Sequence, residues 1–128
     1  MIGYVTLGTD DFERARAFYD ALLEQVGAKR LVSSDSFAYW GKRRVGMLAL
    51  TRPYDRQPAT AGNGTMVAIG VRDRGTVERA HARGLELGGR DEGAPGPRGG
   101  GFFGAYLRDL DGNKLCFFTY ENGGPQDS

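Results

Sequence analysis

Asp109-Leu-Asp-Gly-Asn-Lys-Leu-Cys116 reads as a turn that runs into a strand. Gly112 is free to take a positive φ, which suits Asp109–Gly112 to the turn, and Lys114–Tyr120 is the strand that leaves it. The strand entering the turn is Phe102–Arg108. The quoted run ends on Cys116, the only cysteine of the chain, and His81 is the only histidine. Counting alone excludes a His-rich metal site.

Working back from this hairpin, Gly93–Gly101 is rich in glycine and proline and reads as a mobile loop. Gly88-Gly89 ends a helix of about Gly75–Leu87, for which Asp73 supplies an N-cap oxygen. The inner face of that helix, Val77, Ala80, Gly84 and Leu87, is thin. A strand over Met66–Val71 precedes it. The first half shows the same order. Ile2–Leu7 alternates as a strand, with Val5 and Leu7 on one face and Tyr4 and Thr6 on the other. Thr9, Asp10 and Asp11 offer a cap to a helix on which Phe12, Ala15, Phe18, Tyr19, Leu22 and Val26 recur at helical spacing, and Gly27 stops it. Arg30–Ser33, Phe37–Trp40 and Val45–Leu50 follow as three short strands. A strand, a helix and three strands, occurring twice, predict an α+β domain over residues 1–121. Module one spans 1–51, an aperiodic connector 52–64, module two 65–121, and 122–128 reads as a flexible tail.

Composition sets the outer limits. The chain has 128 residues, 40% hydrophobic and 26% charged, which is ordinary for one globular domain. Seventeen basic against sixteen acidic residues leave a net charge of +1, which gives no reason to expect a nucleic-acid or membrane partner. One cysteine, no long apolar run and no leader pattern are the expectation for a soluble cytoplasmic protein.

Three stretches carry a resemblance. Met1-Ile-Gly-Tyr-Val-Thr-Leu-Gly-Thr-Asp-Asp-Phe-Glu-Arg-Ala-Arg-Ala-Phe-Tyr-Asp20 resembles the first strand and helix of glyoxalase/bleomycin-resistance domains, of the vicinal oxygen chelate superfamily. Gly88–Gly96 and Tyr106–Asn113 are similar to that family's second-module loop and closing hairpin. The resemblance extends over nearly all of residues 1–121. It implies two βαβββ modules whose eight strands form a half-open barrel with the helices outside and a pocket within. It also implies a homodimer.

In metal-binding members of the family, ligands occupy positions that correspond to Tyr4, Ala49, Met66 and Cys116. None of the usual His, Gln or carboxylate donors stands there. One thiol, one thioether and one phenol are not a set that holds a divalent transition ion. The resemblance therefore implies a member without the usual metal, and no cofactor is expected.

With strands alternating as in the family, Tyr4, Thr6, Met47, Ala49, Met66, Ala68, Cys116 and Phe118 point into the barrel. They either line a pocket for a small, largely apolar molecule or fill the barrel as core. Phe102, Phe103 and Trp40 form an aromatic wall or pack elsewhere. Arg52 sits where it can clamp a carboxylate at the pocket mouth, or else is a solvated loop arginine. His81 is read as a solvated residue of the second helix, outside the barrel. Cys116, with no second cysteine or histidine to activate it, is an inert lining thiol. Catalytic residues are not identifiable. Three functions stay open: metal-independent binding of a small apolar molecule, a lactoylglutathione-lyase-like lyase or isomerase step without the metal, or a non-catalytic scaffold with a filled barrel.

Overall fold

The computed structural model describes residues 1–121, and the tail expected over 122–128 lies outside the described residues. Ten elements follow in order: β1 (Tyr4–Gly8), α1 (Phe12–Glu24), β2 (Arg30–Ser33), β3 (Phe37–Lys42), β4 (Gly46–Thr51), β5 (Val67–Gly70), α2 (Arg74–Glu86), β6 (Arg90–Pro97), β7 (Phe102–Arg108) and β8 (Lys114–Tyr120). They build two four-stranded sheets, ordered β1-β4-β3-β2 and β5-β8-β7-β6. In each, the first strand runs parallel to the last, and the remaining pairs are antiparallel. The fold is α+β, and its second half repeats the strand order of the first.

Both helices start where the caps predict. Asp11 accepts the Arg14 N–H at 3.3 Å, and Asp73 accepts the Thr76 N–H at 2.8 Å. The apolar stripe of α1 (Phe12, Ala15, Phe18, Tyr19, Leu22, Leu23) is buried. It joins one core with Leu7, Trp40, Leu48 and Leu50 from the first sheet and Phe103, Leu107, Leu115 and Phe117 from the second. Burial of apolar side chains on this scale, at about 1.5–3 kcal/mol each, is what holds helices on sheets.

The two halves are clasped by the turn after β7. Asp109 is buried and receives four hydrogen bonds. Its Oδ1 accepts the N–H groups of Asp111 (2.9 Å) and Asn113 (2.8 Å), and its Oδ2 accepts Asn113 Nδ2 (2.9 Å) and the hydroxyl of Tyr19 on α1. Asn113 Nδ2 also donates to the Gly8 carbonyl of β1 at 3.1 Å. Gly112 closes the turn at φ 89°. A run that reads locally as a turn is thus also the polar bolt between modules.

The structure corrects two expectations here. The stretch from Gly93 is not a mobile loop: β6 covers Arg90–Pro97, paired to β7 through two irregularities. As the outer strand it tolerates Pro95 and Pro97, whose missing N–H groups need no partner. His81 is not solvated: it is 5% exposed, and its Nε2 lies 3.0 Å from Asp91 Oδ1 on β6. The unforeseen strand is what covers it. Hydrogen bonds from Gly93 N–H and from His81 hold the Asp91 carboxyl below its usual range.

Candidate functional site

Alternation divides each sheet into a helix-covered face and an opposite face. On the first sheet Leu7, Ala38, Trp40, Leu48 and Leu50 belong to the core under the helices. Tyr4, Thr6, Tyr39, Met47 and Ala49 therefore present the opposite face. The ring of Tyr4 meets Tyr39 edge-on at 5.4 Å, and Tyr39 meets Phe37 at 5.6 Å. Tyr4 and Phe37 are 53% and 36% exposed, so this aromatic row is left uncovered.

On the second sheet Phe103, Ala105, Leu107, Leu115 and Phe117 go to the helices. The opposite face carries Ala68 of β5, Phe102, Gly104 and Tyr106 of β7, and Cys116, Phe118 and Tyr120 of β8, with Ala68 beside Cys116 and Cys116 beside Tyr106 in the ladders. Phe102 stacks on Phe118 at 5.2 Å with 10° between planes, and Tyr120 meets both rings edge-on. The rings lie down on glycines. A Cβ on Gly104 would sit 2.6 Å from Phe102 Cε1, and one on Gly93 would sit 2.9 Å from Tyr106 Cδ2. Glycine at these positions makes room for a flat aromatic floor.

Cations lie over the Tyr106 end of that floor. The Arg98 guanidinium and the Lys114 ammonium each lie 5.5 Å from the Tyr106 ring centre, within cation–π range. Arg108 Nε donates to Glu92 Oε1 at 2.5 Å, which holds the Glu92 carboxyl below its ordinary range. Burial pushes the Cys116 thiol up, opposed in part by a hydrogen bond with Tyr106. Burial, and then the proximity of Cys116, push the Tyr106 phenol up as well. Both groups are neutral at physiological pH, and neither is poised as nucleophile or base.

The residues expected to form one site are thus distributed over two sheets. Tyr4, Thr6, Met47 and Ala49 share one open face, and Ala68, Cys116 and Phe118 share the other. No strand ladder joins the sheets. Met66 is 43% exposed and stands just before β5, which begins at Val67 rather than at Met66. Trp40 and Phe103 are not walls of either open face. Trp40 is 1% exposed against Tyr19 and donates Nε1–H to Asp20 at 2.9 Å, and Phe103 is 6% exposed in the core with Arg74 over its ring. Odd-even register sends them to the helices. Arg52 is an exposed loop arginine tethered to its surroundings: Nη1 donates to the Asp35 carbonyl at 2.8 Å, and its guanidinium lies over Phe12 at the start of α1. Tyr106 and the Glu92–Arg108 pair were missed. The hairpin register around residues 109–113 was the available signal, since it sets Tyr106 opposite Cys116.

The donor set does not fit a divalent metal. Cys116 is a buried neutral thiol on one sheet, Tyr4 a phenol on the other, Ala49 has no donor, and Met66 lies outside its strand. Among the described residues no group of three or more His, Cys, Asp or Glu side chains is arranged to hold a metal ion. None of the described helices is long and apolar enough to cross a membrane.

Comparison with known proteins agrees with this architecture. The pattern of the glyoxalase-like domain matches residues 4–118. A glyoxalase/bleomycin resistance protein from Albidiferax ferrireducens T118 is 35% identical, with a TM-score of 0.87 over 94% of this chain and 99% of that one. A lactoylglutathione lyase from Agrobacterium tumefaciens is 21% identical, with a TM-score of 0.67 over 93% of this chain and 92% of that one, and shares the fold. No curated protein matches the sequence. On the extent of the domain match and the identity to the Albidiferax protein, the chain belongs to the glyoxalase-like domain family.

Proposed function

We propose that the protein is a metal-independent binder of a small, largely apolar molecule, held on the aromatic floor of the second sheet. The observation that carries this reading is the set of rings of Phe102, Tyr106 and Phe118 on one open face, with two cations over the Tyr106 end of it. Flat rings over glycine offer a stacking surface, and the cations at the Tyr106 end favour a π-rich or partly anionic guest. Binding is preferred over a lyase or isomerase step because Cys116 and Tyr106 on the floor are held neutral and Glu92 is committed to Arg108.

A homodimer completes the proposal. Tyr4, Val32 and Phe37 expose a third or more of their surface on the first sheet, and pairing with the second sheet of another chain would cover both open faces and close a cleft. We place this dimer in the cytoplasm. The test is calorimetric titration of dialysed protein with 1-naphthol, alongside elemental analysis and light scattering. Saturable binding, reduced at least about tenfold by Phe102→Ala, with no stoichiometric metal and a mass near twice 13.9 kDa, is the expected result. A retained equivalent of zinc, nickel, manganese or iron, or binding indifferent to Phe102→Ala, would overturn the reading. Turnover of a bound molecule would move it to the lyase or isomerase class.

A further inference from the structure

A cavity lies in the gap between the two modules and meets the edge of the aromatic floor at Ala68 and Gly70. Its volume is about 610 Å³, within the range of small-molecule sites. Its walls come from the C-terminal end of α1 (Leu23, Val26), from Val5 of β1, from Val67 of β5, and from Val45 at the β3–β4 turn, with Trp40 at its base. Apolar surface is left in water around it: Val5 is 36% exposed and Val45 79%. Such a concentration of exposed aliphatic side chains at a concave site is the mark of something that binds there.

The charge at the turn end of the mouth is of one sign. Lys42 lines the cavity, Arg43 and Arg44 follow it in the turn to Val45, and Lys29 comes next after Ala28 of the wall. The Lys29 carbonyl accepts the Gly41 N–H at 3.2 Å, which holds that cation beside the turn. All four are exposed, and no ion pair engages any of them among the described residues. One carboxylate, Glu24, borders an adjoining hollow that shares Val26, Gly27 and Gly70 with this cavity, on the side away from the β3–β4 turn.

An aliphatic interior with an unpaired cationic mouth fits one chemical class. We propose that this cleft binds a free amphiphilic carboxylate, its hydrocarbon body between the modules and its head group against Lys42 and its neighbours. The site adjoins the aromatic floor at Ala68 and Gly70, but it does not include Phe102 or Tyr106, and it takes a flexible aliphatic chain where the floor takes a flat ring.

Trp40, the single tryptophan of the chain, lines this cavity, so its fluorescence can follow occupancy there. The experiment titrates the full-length protein with sodium decanoate below its micelle concentration, following both Trp40 emission and heat. Saturable binding with a change in Trp40 emission is expected. Hexanoate should bind at least about tenfold more weakly, because four methylenes leave the apolar wall. Decanol should bind more weakly by about fivefold or more, as should decanoate to the exposed double variant Lys42→Glu/Arg43→Glu. Ala28→Leu should remove decanoate binding by filling the cavity, and Phe102→Ala should leave it unchanged. Absence of saturable heat and emission change would overturn the proposal. So would decanol binding as tightly as decanoate, or a dependence on Phe102 without a dependence on Ala28.

Discussion

Removing the Asp109 carboxylate is the perturbation with the largest consequence for the fold. Four donors converge on it, and three of them, the Tyr19 hydroxyl and the backbone N–H and Nδ2 of Asn113, come from residues only 1% and 4% exposed. In Asp109→Ala the Asp111 N–H can turn to water, since Asp111 is only half-buried, whereas the Asn113 N–H is buried. The Tyr19 hydroxyl has no such recourse and stays buried without an acceptor. A hydrogen bond to a charged group contributes about 1.5–3 kcal/mol, and an orphaned buried donor costs about 1–3 kcal/mol, so the loss should be about 3–5 kcal/mol. Tyr19→Phe removes the hydroxyl itself and leaves Asp109 three donors, for a cost of about 1–2 kcal/mol. Adding Tyr19→Phe to Asp109→Ala should then cost little more, because the hydroxyl it deletes is already orphaned. Urea denaturation of the three variants, with unchanged m-values, measures all of this. A loss below 1 kcal/mol for Asp109→Ala, or additive costs in the double variant, would refute the idea that this turn bolts the modules together.

Other outcomes follow from the same coordinates. Because burial raises the folded thiol of Cys116 above its ordinary value, its contribution to stability is intact at neutral pH. It shrinks as pH climbs past about 9.0, where the unfolded thiol ionises. Tyr19 extends the same alkaline loss beyond about 10.0, and a pH series of melting curves checks both. Cys116 in native protein should react with a small disulfide reagent far more slowly than in urea-unfolded protein, and equal rates would contradict its burial. Met66→Ala should cost less than about 1 kcal/mol in urea, since Met66 is 43% exposed, whereas a core methionine would cost about 2–5 kcal/mol.

Helices, caps and most strands were legible because their signals are local. Asp11 and Asp73 cap as their side chains allow, and the stripe of Phe12, Ala15, Phe18, Tyr19 and Leu22 reads at 3.6-residue spacing whatever lies beneath it. What escaped depended on partners distant in sequence. Gly93, Pro95 and Pro97 look like loop residues until β7 is set beside them, and only then does the missing Cβ of Gly93 become the space for Tyr106. His81 follows from the same omission, because its cover is β6. For the site, alternation placed Cys116 and Phe118 on the open face but could not separate Phe102 from Phe103 without the register of β7 against β8. Trp40 likewise needed the register of β3, which turns it under α1.

The central claim is that a small apolar guest lies on the Phe102–Tyr106–Phe118 face with no metal. The direct measurement is an NMR titration of dialysed protein with 1-naphthol in the presence of a chelator, following assigned aromatic and methionine-methyl signals. The account predicts saturable shifts centred on Phe102, Tyr106 and Phe118, with Phe12, Leu22 and Val77 under the helices unmoved. Shifts centred on the helix-covered core, or binding that appears only when a divalent metal replaces the chelator, would contradict it.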